Sequence, residues 1–383
     1  MASYLPDIVR ILVPAGMTFL IGMGITPIVT HYLYKYKAWK KKAGKRAYDG
    51  ADALEFNRIH QSHETRAPRM GGIVVWGSLL LTILGIDILA HLFTSADILR
   101  LDFLSREQTW IPLTALMVGA IAGLADDILV IRPDGDGLRL RSRLLIVVAL
   151  SLGLAGWFYI KLGVTAVDIP FSAPLELGWF IIPFFIIVTL GLYASGVIDG
   201  IDGLSGGVFA SIFASYAIIA FAQSQIDLAA FCAALVGGLL AFLWFNVPPA
   251  RFYMSDTGTM ALTLALAAVA FMTDNLGGGV GIAVLPIIGG LLVLTVLSDV
   301  IQILSKKFFG KKIFRIAPIH HHFEAIGWSG PKVVMRYWIT SLVLAFAGVV
   351  LALLSIQWCQ STDECGKNAR ISVVPYANEA LQN

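Results

Sequence analysis

The sequence predicts an all-α, polytopic integral membrane protein with about ten transmembrane helices. Of the 383 residues, 57% are hydrophobic and only 14% are charged, which is unlike the balance in soluble domains. The apolar residues are gathered in runs of about twenty, long enough to cross a hydrocarbon core about 30 Å thick as helices. Most basic residues between these runs lie in the loops 35–70, 131–143, 246–257 and 306–333, as expected of a chain that crosses the bilayer repeatedly.

Each apolar run is a candidate membrane span. The first run continues through Pro27 into a basic segment and has no small-residue cleavage site, so we expect a transmembrane helix rather than a signal peptide. No fixed-period repeat or separate soluble domain is evident, so residues 1–383 are predicted to form one membrane domain. The predicted spans are 8–34, 71–93, 110–130, 144–162, 179–197, 205–223, 228–245, 258–273, 280–305 and 334–357.

The charges of the loops predict the orientation of the chain. The segment 35–70 contains "YKYKAWKKKAGKR", and the positive-inside rule places it in the cytoplasm, with both termini outside. The loops 131–143, 246–257 and 306–333 repeat this bias, whereas the loops near 94–109, 163–178, 224–227 and 274–279 are neutral to acidic. The predicted cytoplasmic loops are 35–70, 131–143, 198–204, 246–257 and 306–333, and 358–383 is the predicted outer tail.

Five aspartates lie on the predicted cytoplasmic side. They are Asp126 and Asp127 in "LADDILV", Asp199 and Asp202 in "VIDGIDGLSGG", and Asp256 in "FYMSDTG". Ionisable residues at membrane depth are costly, so such a group is a candidate functional site. Each motif also has a structural interpretation: the first pair and Asp256 can cap helices, and the glycine-rich segment can be a tight turn.

Three consecutive histidines, His320, His321 and His322, follow the ninth predicted span on the same side. They can contact lipid headgroups or take part in catalysis. A zinc site is disfavoured because adjacent helical side chains point about 100° apart and no further Cys or His is near to complete a tetrahedral set. Carboxylate oxygens on several loops favour Mg²⁺. Together the motifs predict a cytoplasmic-face site for a phosphate-bearing substrate bound through Mg²⁺ and for a lipid substrate; no nucleic-acid partner is expected.

Several segments resemble one enzyme family. "LADDILV", "IDGIDGLSGG", "FNVPPARFYMSDTG" and "KKIFRIAPIHHHFEAIGW" followed by "PKVVMRYWI" are similar to the phospho-N-acetylmuramoyl-pentapeptide transferases, from "RMGG" at Arg69 to the tenth span. The Asp pair and the DGxDG loop are shared with the wider polyprenyl-phosphate sugar-1-phosphate transferases, whereas "APIHHHFE" is specific to this member.

The resemblance implies ten helices with both termini outside. It also implies Mg²⁺-dependent transfer of phospho-MurNAc-pentapeptide from UDP-MurNAc-pentapeptide to undecaprenyl phosphate, with release of UMP. A homodimer in the bacterial inner membrane is expected. The implied catalytic residues are Asp126, Asp127, Asp256, His320, His321 and His322, with Mg²⁺ on Asp256. The implied substrate-binding residues are Asp199, Gly200, Asp202, Asn246, Tyr253, Gln302 and Ala317.

The sequence departs from the family pattern at a few positions. Val130 and Gly196 replace a usual Lys and Asn, Arg143 replaces a Lys, and "RAPRMGG" with Arg66 and Arg69 replaces "GTPTMGG". Arg still binds phosphate, whereas Val does not, so these changes concern sugar and peptide recognition rather than reaction class.

Two alternatives follow from the same sequence. One is a related transferase that uses UDP-GlcNAc or another UDP-sugar. The other is a flippase or ion-coupled transporter, for which Asp87 and Asp299 are the candidate ionisable residues within the membrane.

Overall fold

The computed structural model describes residues 4–41, 67–93, 100–104, 108–133, 135, 137–274, 276 and 278–362. These residues form helices connected by short loops and one two-residue hairpin, β1 (Ala166–Val167) and β2 (Leu175–Glu176). The helices are α1 (Leu5–Lys35), α2 (Gly72–Phe93), α3 (Trp110–Val130), α4 (Leu140–Ile160), α5 (Ile181–Ser195), α6 (Leu204–Ala222), α7 (Ile226–Asn246), α8 (Ser255–Met272), α9 (Gly281–Ile288), α10 (Gly290–Phe309), α11 (Ile319–Ala325) and α12 (Gly330–Thr362). Short 3₁₀ turns flank α5 at Gly178–Phe180 and Gly196–Ile198.

The all-α membrane fold is confirmed. Within the described ranges, nine helical segments are long and apolar enough to cross a membrane, and α9 with α10 makes a tenth if the bent pair is one span. The predicted spans agree with these helices, whereas the side on which the termini lie stays a prediction. The inner loop 35–70 falls largely outside the described residues, as does most of the outer tail 358–383.

The ninth predicted span is not one continuous helix. The chain bends by 70° between α9 and α10, at Gly289. Pro286 lies inside α9 and lacks the N–H of a regular helical turn, and Gly289 and Gly290 are both poor helix formers. Apolar run length alone does not report such a break.

Helix α8 is at the centre of the bundle and is almost entirely buried. Helix α3 packs along it through Gly119 and Gly123, where a Cβ atom would overlap the backbone carbonyls of Met260 and Asp256. Small residues one helical turn apart allow two membrane helices to approach this closely. The carboxyl end of α3 therefore lies directly beside the start of α8.

The histidine run forms the short helix α11, which α10 holds in place. Ser298 accepts a hydrogen bond from the Ile319 backbone N–H at 3.0 Å. Helix α11 also contacts α12, which in turn packs against α6 and α9. The end of α10 and the start of α12 thus fix where the histidines lie.

Candidate active site

Asp127, at the end of α3, has both carboxylate oxygens occupied. Its Oδ2 accepts hydrogen bonds from Ser255 Oγ at 2.5 Å, from the Thr257 N–H at 3.0 Å and from Thr257 Oγ1 at 2.7 Å. Its Oδ1 accepts one from Arg69 Nε at 2.9 Å. The side chain is fully buried, and a buried carboxylate is stable when it is paired in this way. Asp127 therefore fastens the start of α8 to α3.

Its neighbour Asp126 is also fully buried and has a different cation. Oδ1 accepts a hydrogen bond from the Leu138 N–H at 2.6 Å, and Oδ2 lies 2.7 Å from Arg143 Nη2. The loop that leads into α4 thus folds back onto the end of α3. Adjacent carboxylates repel each other unless cations intervene, and here each member of the pair has its own guanidinium.

Asp256, the second residue of α8, is the most accessible of these carboxylates. About a quarter of its side chain is exposed, and its Oδ2 lies 3.4 Å from Arg143 Nη1 and 3.8 Å from Arg69 Nη2. The two arginines that neutralise the buried pair therefore also flank the accessible carboxylate. The interpretation of Asp256 as a helix cap is not supported, because Met254 is the N-cap residue of α8.

Ser255 connects the Asp pair to the glycine-rich loop, although sequence reasoning did not single it out. Its N–H donates to Asp199 Oδ2 at 2.7 Å, and its Oγ accepts from the Met70 N–H at 2.9 Å. Ser205 Oγ donates to the other oxygen of Asp199 at 2.7 Å. Burial raises the pKa of Asp199, and these two hydrogen bonds oppose that rise. The available signal was weak, because a serine before an acidic residue at a helix start usually indicates a cap.

Two of the three histidines reach the glycine-rich loop. A Cβ atom at Gly200 would overlap the Nε2 atoms of both His320 and His321, so the absence of a side chain here lets both rings approach. His321 Nδ1 lies 2.8 Å from Glu324 Oε2, which orients its ring. His322 is turned toward its own segment, where its Nδ1 accepts a backbone N–H at 3.1 Å. His320 and His321 therefore lie against Gly200, the residue next to Asp199, whereas His322 contacts its own segment.

Asp202 and Asn246 shape the loops around the cluster. Asp202 Oδ2 accepts a hydrogen bond from the Ala250 N–H at 3.0 Å. The buried Asn246 side chain accepts from the Gly203 N–H at 2.9 Å and donates to the Phe252 carbonyl at 2.7 Å. Both side chains thus bind the segment that precedes α8 to the DGxDG loop.

The remaining predicted binding residues lie on the neighbouring segments. Gln302 on α10 accepts hydrogen bonds from the N–H groups of Ile313 and Phe314 and donates one to the Phe314 carbonyl at 2.8 Å. These bonds hold the segment between α10 and α11 against α10. Ala317 is half-buried on that segment. Tyr253 pairs its backbone N–H with the Pro68 carbonyl at 2.8 Å.

The donor set fits a cation shared with a substrate. Among the residues described, no group of three or more His, Cys, Asp or Glu side chains is arranged to hold a metal ion. Asp126 and Asp127 are fully buried, whereas about a quarter of the Asp256 side chain is exposed, so Asp256 is the accessible carboxylate of these three. Three aspartates, Asp126, Asp127 and Asp256, pair with two arginines, Arg69 and Arg143, so the cluster keeps excess negative charge when all are ionised. Mg²⁺ is commonly bound by one or two carboxylates together with substrate phosphates and water, and these residues suit that mode.

Comparison with known proteins connects this geometry to a family. The sequence profile named Glycosyl transferase family 4 matches residues 109–274, which include all five predicted aspartates. Two curated proteins, from Bacillus thuringiensis (strain Al Hakam) and Bacillus cereus (strain AH187), are each 35% identical to this chain over 350 residues. The match covers 90% of this chain and 98% of each relative, and both relatives have the name phospho-N-acetylmuramoyl-pentapeptide-transferase.

Proposed function

Because the chain belongs to the phospho-N-acetylmuramoyl-pentapeptide-transferase family, we propose that it transfers phospho-MurNAc-pentapeptide from UDP-MurNAc-pentapeptide to undecaprenyl phosphate. The products are UMP and lipid I, an intermediate of peptidoglycan synthesis. The main supporting observation is the Asp256 carboxylate, which is accessible and lies between two guanidinium groups within a bundle of membrane-spanning helices. The protein is a multi-pass membrane protein, and we place it in the bacterial inner membrane, as a homodimer.

The reaction needs charge neutralisation more than a strong base. The second pKa of a phosphate monoester is about 6, so the lipid phosphate is largely dianionic near neutral pH and already nucleophilic. One of its oxygens forms a bond to the phosphorus that bears the sugar, and the bond from that phosphorus to the oxygen of UMP breaks. The dianion and the diphosphate repel each other, and Arg69 and Arg143, which lie beside Asp256, would supply positive charge that lowers that repulsion.

The aspartates have unequal roles in this proposal. Asp256 would hold Mg²⁺ together with substrate phosphates, and the bound ion would neutralise charge on the diphosphate and the leaving UMP. Asp127 accepts four hydrogen bonds, so it positions Arg69 and Ser255. Asp126 positions Arg143 in the same way. This assignment makes the Asp pair a support for the two cations rather than a proton acceptor.

The surrounding residues are proposed to bind the two substrates. The loop with Asp199, Gly200 and Asp202 receives the nucleoside, and Asn246 and Tyr253 line its pocket. His320 and His321, beside Gly200, bind phosphate oxygens. His322, Gln302 and Ala317 shape the segment that carries these histidines. The lipid substrate reaches the site from the bilayer.

Product analysis with different UDP-sugars tests this function. Purified protein with undecaprenyl phosphate and Mg²⁺ is expected to release UMP from UDP-MurNAc-pentapeptide and not from UDP-GlcNAc. Turnover of UDP-GlcNAc alone would support the related sugar transferase instead. Transport without UMP release would favour a transporter instead; Asp87, one of its two candidate residues, lies beside His91 on α2.

A further inference from the structure

Arg69 lies on a segment that is fixed against the start of α8. Its own N–H donates to the Ala38 carbonyl at 2.7 Å. On either side of it, the Pro68 carbonyl accepts the Tyr253 N–H at 2.8 Å, and the Gly71 N–H donates to the Tyr253 carbonyl at 2.7 Å. These backbone hydrogen bonds therefore fix where the Arg69 side chain begins. The arginine itself departs from the family pattern, which has a small residue at this place in the sequence.

The guanidinium of Arg69 bridges a buried and an accessible carboxylate. Its Nε is 2.9 Å from Asp127 Oδ1, and its Nη2 is 3.8 Å from Asp256 Oδ2. Burial lowers the pKa of Arg69, but the attraction of Asp127 and Asp256 outweighs this and leaves the pKa raised. The side chain is 27% exposed, whereas Asp127 is not exposed at all. A guanidinium has five N–H donors, and the group is partly exposed beside Asp256, whose side chain is 24% exposed, so donors beyond those that face the carboxylates are free to bind a ligand.

We propose that Arg69 is a fixed cation of the diphosphate site. Its guanidinium shares Asp256 with a divalent cation and binds phosphate oxygens of a nucleoside diphosphate. Its fixed positive charge weakens divalent-cation binding at Asp256. The same charge, on a planar group suited to phosphate, retains diphosphate binding when no divalent cation is present. The nucleotide part rests on the proposed transferase function, whereas the cation part does not.

Two binding measurements on the full-length protein test this proposal. Mn²⁺ affinity is measured by electron paramagnetic resonance without substrates, and UDP affinity is measured in excess EDTA. For R69Q we expect Mn²⁺ to bind at least fivefold more tightly and UDP at least tenfold more weakly than in the wild type. R69K keeps the charge, so its Mn²⁺ affinity is expected within twofold of the wild type. R141Q is the matched control, because Arg141 is exposed at the start of α4, two residues before Arg143, and its loss changes the net charge as much as R69Q does. Both the Mn²⁺ affinity and the UDP affinity of R141Q are expected to equal those of the wild type.

The outcomes separate a charge role from a structural one. Wild-type Mn²⁺ affinity in R69Q would overturn the shared-cation claim, and wild-type UDP affinity in EDTA would overturn the phosphate claim, even if turnover were lost. If R69Q does not fold, R69K decides: Mn²⁺ binding at least fivefold tighter than in the wild type would contradict the proposal, and affinity within twofold supports it. If the wild type released no UMP, the transferase function would fail while the Mn²⁺ comparison would still test Arg69.

Discussion

Asp126, Asp127 and Asp256 differ in what surrounds each carboxylate. Asp127 accepts four hydrogen bonds, Asp126 accepts a backbone N–H and faces Arg143, and Asp256 is the one with substantial exposure. Removal of one partner from a buried charge pair is usually far more harmful than the net contribution of the pair suggests. Similar losses of activity on mutation would therefore have different causes at these positions.

Ser255→Ala is expected to lower stability more than an ordinary surface change. The substitution leaves one donor of Asp127 missing and the Met70 N–H without its acceptor, and an unsatisfied buried group costs about 1–3 kcal/mol. Thermal unfolding in detergent should show a clear decrease in Tm. Ser172→Ala, at an exposed loop position, is the control with an unchanged Tm. Equal Tm values for both variants would show that the Ser255 network does not stabilise the fold.

His321→Ala is expected to reduce kcat/KM at least tenfold, which is about 1.4 kcal/mol of transition-state stabilisation. The reason is its position beside Gly200 and its orientation by Glu324. The measurement is UMP release by folded, purified variants. His91→Ala is the control, because that ring is 80% exposed on α2, and it should retain wild-type kinetics. Full turnover by His321→Ala would remove this histidine from the site.

At the scale of elements, the approach of α3 to α8 determines where the aspartates meet. Gly123→Ala places a methyl group against the Asp256 carbonyl, and overpacking of this kind costs about 1–3 kcal/mol. We expect a lower Tm together with lower turnover. Gly156→Ala on α4 is the matched control, because nothing lies within 4 Å of the added atom, and a Gly to Ala change alone favours a helix. Unchanged behaviour of Gly123→Ala would mean that this close approach is dispensable.

At the scale of the whole molecule, the sequence predicted the features that depend on local pattern. Runs of about twenty apolar residues identified the spans because the bilayer sets their length, and the rarity of charge in the membrane identified the aspartate clusters. Contacts between distant segments could not be predicted in this way. Met70 and Ser255 are 185 positions apart, and nothing local to either residue indicates the other. The contact of Arg69 with Asp127 and the bend at Gly289 likewise depend on packing.

The proposed activity of this protein is lipid I synthesis at the cluster around Asp256. The most direct test measures UMP and lipid-linked product together, from UDP-MurNAc-pentapeptide and undecaprenyl phosphate, for the wild type, Asp256→Asn and the exposed control Asp87→Asn. We expect equal amounts of the two products from the wild type, unchanged rates for Asp87→Asn, and a loss on the order of 10²-fold or more for Asp256→Asn. No UMP from the folded wild type, or wild-type rates for Asp256→Asn, would contradict the account.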